Sequence, residues 1–433
     1  LTRIKSEARG TMTASSYVVL QEVLRRKGKD LVFAMIQKYR GELIDPDAGQ
    51  DIEDDRDEDM DGEDTPTRAP PRTKPLPVLN TDEDILVLVD EAHRSHTNTA
   101  HANLMRALPN CAKIGFTGTP IIMRAKGQTA RIFGDFIDRY TIRESEADGA
   151  TVPILYEGRT TGAAVQGGGK LDQVFEDMLV DRTPEELDAI KKKYATKGHV
   201  MEAPALVAAK ARNMLRHYVE NILPNGFKAQ VVAVSRRATI RYYDAFLVAR
   251  TELVTELVAL HPNLLDLDQA AISRLDPDQA FLIRAHRFLP TIKALDFAPV
   301  ISGTHNDIVD PAREWTTRSQ IDARIARFKL PLFADGPNTF DHDKADPLAF
   351  LIVKSMLLTG FDAPVEQVMY LDRHIKEAEL LQAIARVNRT YAQGAVEKGF
   401  GIVVDYYGVA QHLKDALAAY AAEDIDGALQ SLK

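Results

Sequence analysis

The hydrophobic pattern alternates between short continuous apolar runs and longer stretches with helical spacing. Ile85-Leu86-Val87-Leu88-Val89 is five consecutive apolar residues, three of them β-branched. Such a run predicts a strand buried on both faces, as in a parallel sheet. Further strand signals lie at Leu31 to Ile36, Lys113 to Phe116, Ala150 to Tyr156, Gln230 to Val234, Ala349 to Val353, Gln367 to Leu371 and Gly401 to Val404. Between them, Pro184 to Leu223, a stretch from near Arg236, Asp244 to Ala298 and Ala378 to Val387 read as helical. After Tyr407, Ala410, Leu413, Ala416, Leu417 and Tyr420 recur at 3.6-residue spacing and predict an amphipathic helix. This order of elements is that of an α/β fold.

Charge changes the picture in one place. Between Asp45 and Asp64 stand twelve acidic residues and one basic residue, Arg56, a net of −11 in a chain of −9, which leaves +2 for the remainder. With the Pro-rich stretch from Pro66 to Pro77, this segment predicts an exposed insertion (45–80) too charged to bury a core. A near-neutral remainder is free to present a basic groove to nucleic acid, so the global charge excludes nothing there. No apolar run approaches the roughly 18 residues of a membrane span, and Leu1 to Gly10 carries no secretory pattern. Cys111 is the single cysteine, which rules out an intrachain disulfide and suits a reducing cytoplasm.

Four local patterns carry chemistry. Asp90-Glu91-Ala92-His93 follows a strand, at the edge where ligands of open α/β sheets bind. Asp90 offers Mg²⁺ a hard oxygen ligand, and Glu91 is placed to orient and polarise an attacking water in phosphoryl transfer. Thr117-Gly118-Thr119-Pro120 follows the next strand, with small hydroxyl side chains and a glycine suited to a tight turn. Thr359-Gly360-Phe361-Asp362 follows a third. In Gln382-Ala-Ile-Ala-Arg386-Val-Asn-Arg389, the amide and two guanidiniums fall at i, i+4 and i+7, one face of a predicted helix and a phosphate clamp in type. The bland readings are an acidic turn, a common Thr-Gly turn and a solvated helix surface.

Taken in order, these segments resemble motifs II (Walker B), III, V and VI of superfamily 2 helicases. Their wording resembles more closely the endonuclease (R) subunit of type I restriction enzymes: Val89-Asp-Glu-Ala-His-Arg-Ser95, Ile114-Gly-Phe-Thr-Gly-Thr-Pro-Ile121, Met356-Leu-Leu-Thr-Gly-Phe-Asp-Ala-Pro364 and Leu381-Gln-Ala-Ile-Ala-Arg-Val-Asn-Arg389. Phe33-Ala-Met-Ile-Gln-Lys-Tyr39, Val231-Val-Ala-Val-Ser-Arg236 (motif IV) and Ile402-Val-Val-Asp-Tyr406 fit the same family, so the resemblance runs from about Phe33 to Tyr420. It implies two RecA-like parallel-sheet domains, the first truncated, with helical insertions and a C-terminal helical segment. The implied ranges are 1–145, 146–408 and 409–433. It implies a double-stranded-DNA translocase using ATP and Mg²⁺, partnered by methyltransferase and specificity subunits, with S-adenosylmethionine serving the complex and not this chain. Asp90 (Mg²⁺), Glu91, Arg386 and Arg389 would serve hydrolysis. His93, Thr117, Thr119, Gly360, Asp362 and Gln382 would line the nucleotide, and Gln37, Lys38, Ser235, Arg236 and Thr359 would touch the DNA backbone.

The family's phosphate-binding loop, G-x-x-x-x-G-K-[ST], does not occur in this sequence, nor does the nuclease core. Gly168-Gly169-Lys170 is no substitute, because Ala164 and Leu171 stand where Gly and a hydroxyl residue are required. The opening Leu1 suggests a fragment, and the expectation is that this chain alone hydrolyses ATP poorly. A different superfamily 2 motor and a non-catalytic DNA- or partner-binding module stay open. The spacing of His93, His96 and His101 is unsuited to one helix face, which argues against a zinc site, and Trp315 and Tyr242-Tyr243 are read as packing residues.

Overall fold

The computed structural model describes residues 10–13, 16–26, 28, 30–34, 42–43, 73–74, 76–90, 92, 99–118, 133–159, 201–303, 314–339, 341, 343–358, 360–375, 377–393, 396–407 and 429–431. Of the predicted exposed insertion (45–80), only residues 73–74 and 76–80 are described: Thr73–Lys74 pairs antiparallel with Glu42–Leu43, and Leu76 and Leu79 are buried in the core of the first unit, against the expectation of an exposed segment. The predicted helical tail lies largely outside the described residues. The chain divides into two compact units, residues 1–139 and 140–433.

The first unit holds two parallel strand pairs, each closed by a helix. Strand β1 (Gly10–Thr13) pairs with β2 (Asp30–Phe33), with α1 (Tyr17–Leu24) between them in sequence. Ser16 caps α1, its hydroxyl accepting from Val19 N at 3.3 Å. Strand β3 (Leu86–Val89) pairs with β4 (Ala112–Gly115), with α2 (Thr99–Ala107) between them. Leu20, Leu76, Leu79, Leu104, Leu108 and Cys111 form the small core, and burial raises the Cys111 thiol above its ordinary range. The expectation that β3 is buried on both faces fails. Leu86 and Leu88 are 55% and 61% exposed while Val87 and Val89 are half-buried. Among the described residues its sheet has two strands and a core on one side, so alternate side chains meet solvent.

The second unit is a seven-stranded, wholly parallel sheet covered on both faces. Its strands are β5 (Ile154–Gly158), β6 (Lys228–Ala233), β7 (Asp296–Val300), β8 (Leu348–Val353), β9 (Glu366–Asp372), β10 (Gly401–Asp405) and β11 (Leu429–Ser431), arranged β11-β5-β10-β9-β6-β8-β7. Its described helices of six residues or more are α3 (Ile142–Ala147), α4 (Pro204–Asn221), α5 (Arg236–Val258), α6 (Pro277–His286), α7 (Leu289–Ala294), α8 (Arg318–Lys329) and α9 (Glu377–Ile384). Side chains alternate across the sheet. Phe350, Ile352, Val368 and Tyr370 join the core under α4, α5, α6 and α7, while Leu351, Val353, Met369 and Leu371 join the core under α8 and α9. The fold class is therefore the α/β class expected. No helix among the described residues is long and apolar enough to cross a membrane.

Two assignments change. Asp296–Val300, expected at the end of a helical stretch, is a strand. Among the described residues it pairs only with β8, and an edge strand tolerates Pro299, which has no N–H to give a second neighbour. Leu429–Ser431, in the region expected to be helical, adds the opposite edge strand beside β5.

Candidate functional site

In the second unit the carboxyl ends of β6, β8 and β9 lead into the segments that resemble motifs IV, V and VI, so one sheet edge carries all three segments. Motif V is a tight, partly strained loop. Gly360 has φ +68°, a left-handed conformation that glycine adopts without a steric penalty, and Leu357 holds φ +69° at a non-glycine position. Gly360 and Asp362 are exposed, and Phe361 between them is buried against Phe328.

Motif VI departs from the expected helix face. α9 stops at Ile384, and the next turn tightens, with Arg386 N and Val387 N donating to Ala383 O and Ile384 O at 3.0 and 3.1 Å. Carbonyls beyond it are committed elsewhere. Asn388 O accepts from Val152 N at 2.8 Å, and Arg389 pairs in an isolated bridge with Thr151. Gln382, Arg386 and Arg389 therefore do not form one helical stripe: Gln382 is buried, Arg386 half-buried and Arg389 exposed.

The two arginines still converge on motif V. Arg386 donates from Nη1 to Phe361 O and from Nε to Gln382 O at 3.1 Å. Arg389 Nε lies 3.9 Å from Asp362 Oδ1, both side chains largely in solvent. Gly401 explains how the turn fits: a Cβ there would stand 2.4 Å from Val387 O, so only glycine lets β10 pass this close. Beneath motif V, Lys398 Nζ donates to Pro364 O at 3.0 Å and Glu366 O at 2.6 Å. The Glu366 carboxyl is fully buried, with no hydrogen-bond partner for either oxygen among the described residues. Burial pushes it up to about 8, against the pull of Lys398 and Arg386.

Ser235 is the N-cap of α5, accepting from Ala238 N at 3.0 Å, and its hydroxyl donates to Glu202. Arg236 opens the helix. No acidic residue occupies the first turn of α5, so its partly positive N-terminus is left to an outside anion or to Glu202. Deeper in the same unit, Asp372 at the end of β9 accepts from Lys210 Nζ of α4 and Tyr242 Oη of α5, all three buried. Beyond it, Glu157 is flanked by Arg159 at 2.7 Å and His217 at 3.5 Å. Burial opposes its ionisation, yet these two partners hold its carboxyl at about 2. The sequence reading missed Glu202, Lys210 and Asp372. Asp372 carried a signal, an acid closing an apolar strand run, whereas Lys210 sits in an apolar helical run and gave none.

In the first unit Asp90 is exposed where β3 ends. Phe116 N donates to Val89 O at 2.8 Å and Ala92 N to Phe116 O at 2.9 Å, which ties the turn of Asp90 to the strand exit that carries Thr117 and Gly118. An exposed carboxylate at a strand exit fits the donor chemistry a Mg²⁺–nucleotide requires. Glu91, His93, Thr119, Thr359, Gln37 and Lys38 lie outside the described residues.

Comparison with known proteins gives two family matches: SWI2/SNF2 ATPase over residues 2–188, and type I restriction enzyme subunit R domain 3 over residues 318–408. The chain is 29% identical over 381 residues to the HindI type I restriction enzyme endonuclease subunit of Haemophilus influenzae, covering 83% of this chain and 31% of that one. It is 23% identical over 359 residues to the SsaAORF53P endonuclease subunit of Staphylococcus saprophyticus, covering 82% and 34%. Among solved structures, the ATP-dependent type ISP restriction-modification enzyme LlaBIII bound to DNA matches 98% of this chain and 26% of its own, at 12% identity and a TM-score of 0.48. The chain thus spans about a third of the length of these curated relatives.

Proposed function

Since the curated relatives of this chain are endonuclease subunits of type I restriction enzymes, we propose that it is the ATP-driven motor region of such a subunit, moving double-stranded DNA. The observation that carries the reading is the meeting of motifs V and VI at one sheet edge, where Arg386 binds Phe361 O and Arg389 stands over Asp362.

The roles follow from the chemistry of the side chains. Asp90 would hold Mg²⁺, which when bound neutralises phosphate charge. Glu91 accepts a hydrogen bond from the water that attacks the γ-phosphorus and orients it. Arg389, exposed and 3.9 Å from Asp362, is the cation for the charge that develops in the transition state. Arg386 grips motif V through the Phe361 carbonyl and carries its position into the site. Gly360, Asp362, Gln382, Thr117, Thr119 and His93 line the nucleotide. Ser235, Arg236, Thr359, Gln37 and Lys38 contact phosphates of the duplex, which positions DNA without reading sequence. Phosphate contacts of this kind make binding fall steeply with salt.

The methyltransferase and specificity subunits would be partners of the complete complex, and the compartment the cytoplasm. The domains proposed are 1–145 and 146–408 as motor domains, with 409–433 opening a further region. With no phosphate loop in its sequence, this stretch alone is expected to turn over ATP slowly, and the full-length protein to do so fast when DNA is present. Measuring ATP hydrolysis by the full-length protein with and without linear duplex DNA tests this. DNA-stimulated turnover is expected; no hydrolysis in either condition contradicts the reading and favours a non-catalytic binding module.

A further inference from the structure

The carboxyl end of β9 has a feature that the nucleotide and DNA motifs do not account for. Asp372 is completely buried on the α4 and α5 side of the sheet, where it accepts from Lys210 Nζ and Tyr242 Oη. Burial raises its carboxyl, and the two donors oppose that shift. The next residue, Arg373, is also buried and points its Nη1 to Lys354 O, 3.2 Å away. Lys354 is the first residue after β8, where the chain enters motif V. Two neighbouring charged residues thus hold different parts: one holds a pair of helices and the other holds the start of the motif V loop. The same short stretch then leads into α9 and motif VI.

The helices held by Asp372 are those that present motif IV. Ser235 caps α5, and Tyr242 lies seven residues along it, about 10 Å at a helical rise of 1.5 Å per residue. Glu202, just ahead of α4, meets Ser235 Oγ, and its backbone carbonyl accepts from Arg241. The N-terminal ends of α4 and α5 are therefore tied to each other at their tips and to β9 two turns deeper. Burying an ion pair and a tyrosine hydroxyl here is a poor route to stability, because apolar residues of similar volume often serve as well or better. A buried polar network instead fixes one arrangement of the elements it joins.

We propose that Asp372, with Arg373 beside it, is a positioning residue that couples the DNA-contacting start of α5 to the nucleotide-side motifs V and VI. The inference rests on the motor reading above. A shift of α5 on binding a phosphate is carried by Tyr242 and Lys210 to the end of β9, and from there by Arg373 to the entry of motif V.

The test is made on the full-length protein, comparing ATP hydrolysis with and without duplex DNA alongside DNA affinity and thermal midpoint. Tyr242→Phe deletes one hydroxyl and leaves the Lys210–Asp372 pair in place. The double variant Lys210→Met, Asp372→Asn breaks the link while leaving no ion buried alone. In both, the ratio of DNA-stimulated to DNA-free turnover should fall about fivefold or more, the lower range of coupling between linked sites, with DNA-free rate and DNA affinity unchanged. A merely structural role lowers the midpoint and both rates together and leaves the ratio intact, which overturns the coupling. Wild-type protein without any DNA stimulation overturns the motor reading, and the coupling falls with it.

Discussion

Two apolar runs of the same kind come to rest in different surroundings. Leu348–Val353 is buried at every position inside a seven-stranded sheet, whereas Leu86–Val89 alternates between half-buried and exposed in a two-stranded one. A run of apolar residues specifies a strand; the neighbours of that strand decide how many of its faces are covered. The same contrast holds at the functional edge. The second unit ties motifs V and VI to its core through the close Gly401–Val387 approach and the Arg386–Phe361 clamp, and the first presents Asp90 exposed at a strand exit.

The sharpest test of this contrast is a pair of truncations followed by chemical denaturation. Phe350→Ala removes a ring that packs against Tyr218, Phe246, Phe297 and Tyr370, and is expected to cost about 3–5 kcal/mol. Leu88→Ala, on the exposed side of β3, should stay within about 0.5 kcal/mol. Equal costs would break the comparison. A glycine pair sharpens it at smaller scale. Gly401→Ala drives a methyl into the Val387 carbonyl and should cost about 1–3 kcal/mol, while Gly118, with nothing among the described residues within 4 Å of where a Cβ would stand, should accept alanine within about 0.5 kcal/mol.

A separate test is one of pH. Glu366 holds its proton to about 8 in the fold against an ordinary 4.5, because burial disfavours its charge. Its contribution is fully present below pH 4.5 and is lost as pH rises through about 8. Glu366→Gln cannot ionise, so its thermal midpoint should rise relative to wild type as pH climbs through that window. A difference that stays flat would show that Glu366 is ionised throughout.

Much of this was readable in the sequence. Five strands of the second unit announced themselves because a parallel sheet buried on both faces demands unbroken apolar runs, and Leu429–Ser431 did not. Asp296–Val300 escaped because Pro299 argues against a strand until its edge position is known. At the site, residue types were enough to gather Gly360, Asp362, Gln382, Arg386 and Arg389, but helical spacing misplaced the arginines. The competing pull came from Thr151, Val152 and Gly401, far away in sequence. The link from Lys210 and Tyr242 to Asp372 spans 162 and 130 residues and leaves no local pattern at all.

The proposed function requires that Glu91 of motif II and Arg389 of motif VI each serve ATP hydrolysis. Glu91→Gln and Arg389→Ala, made singly and together in the full-length protein, address it through DNA-stimulated ATP turnover. Each single change should lower the rate by roughly 10³–10⁵, and the pair should lower it little further, since groups that act as a unit are strongly non-additive. Near-normal turnover in either single variant would contradict the account.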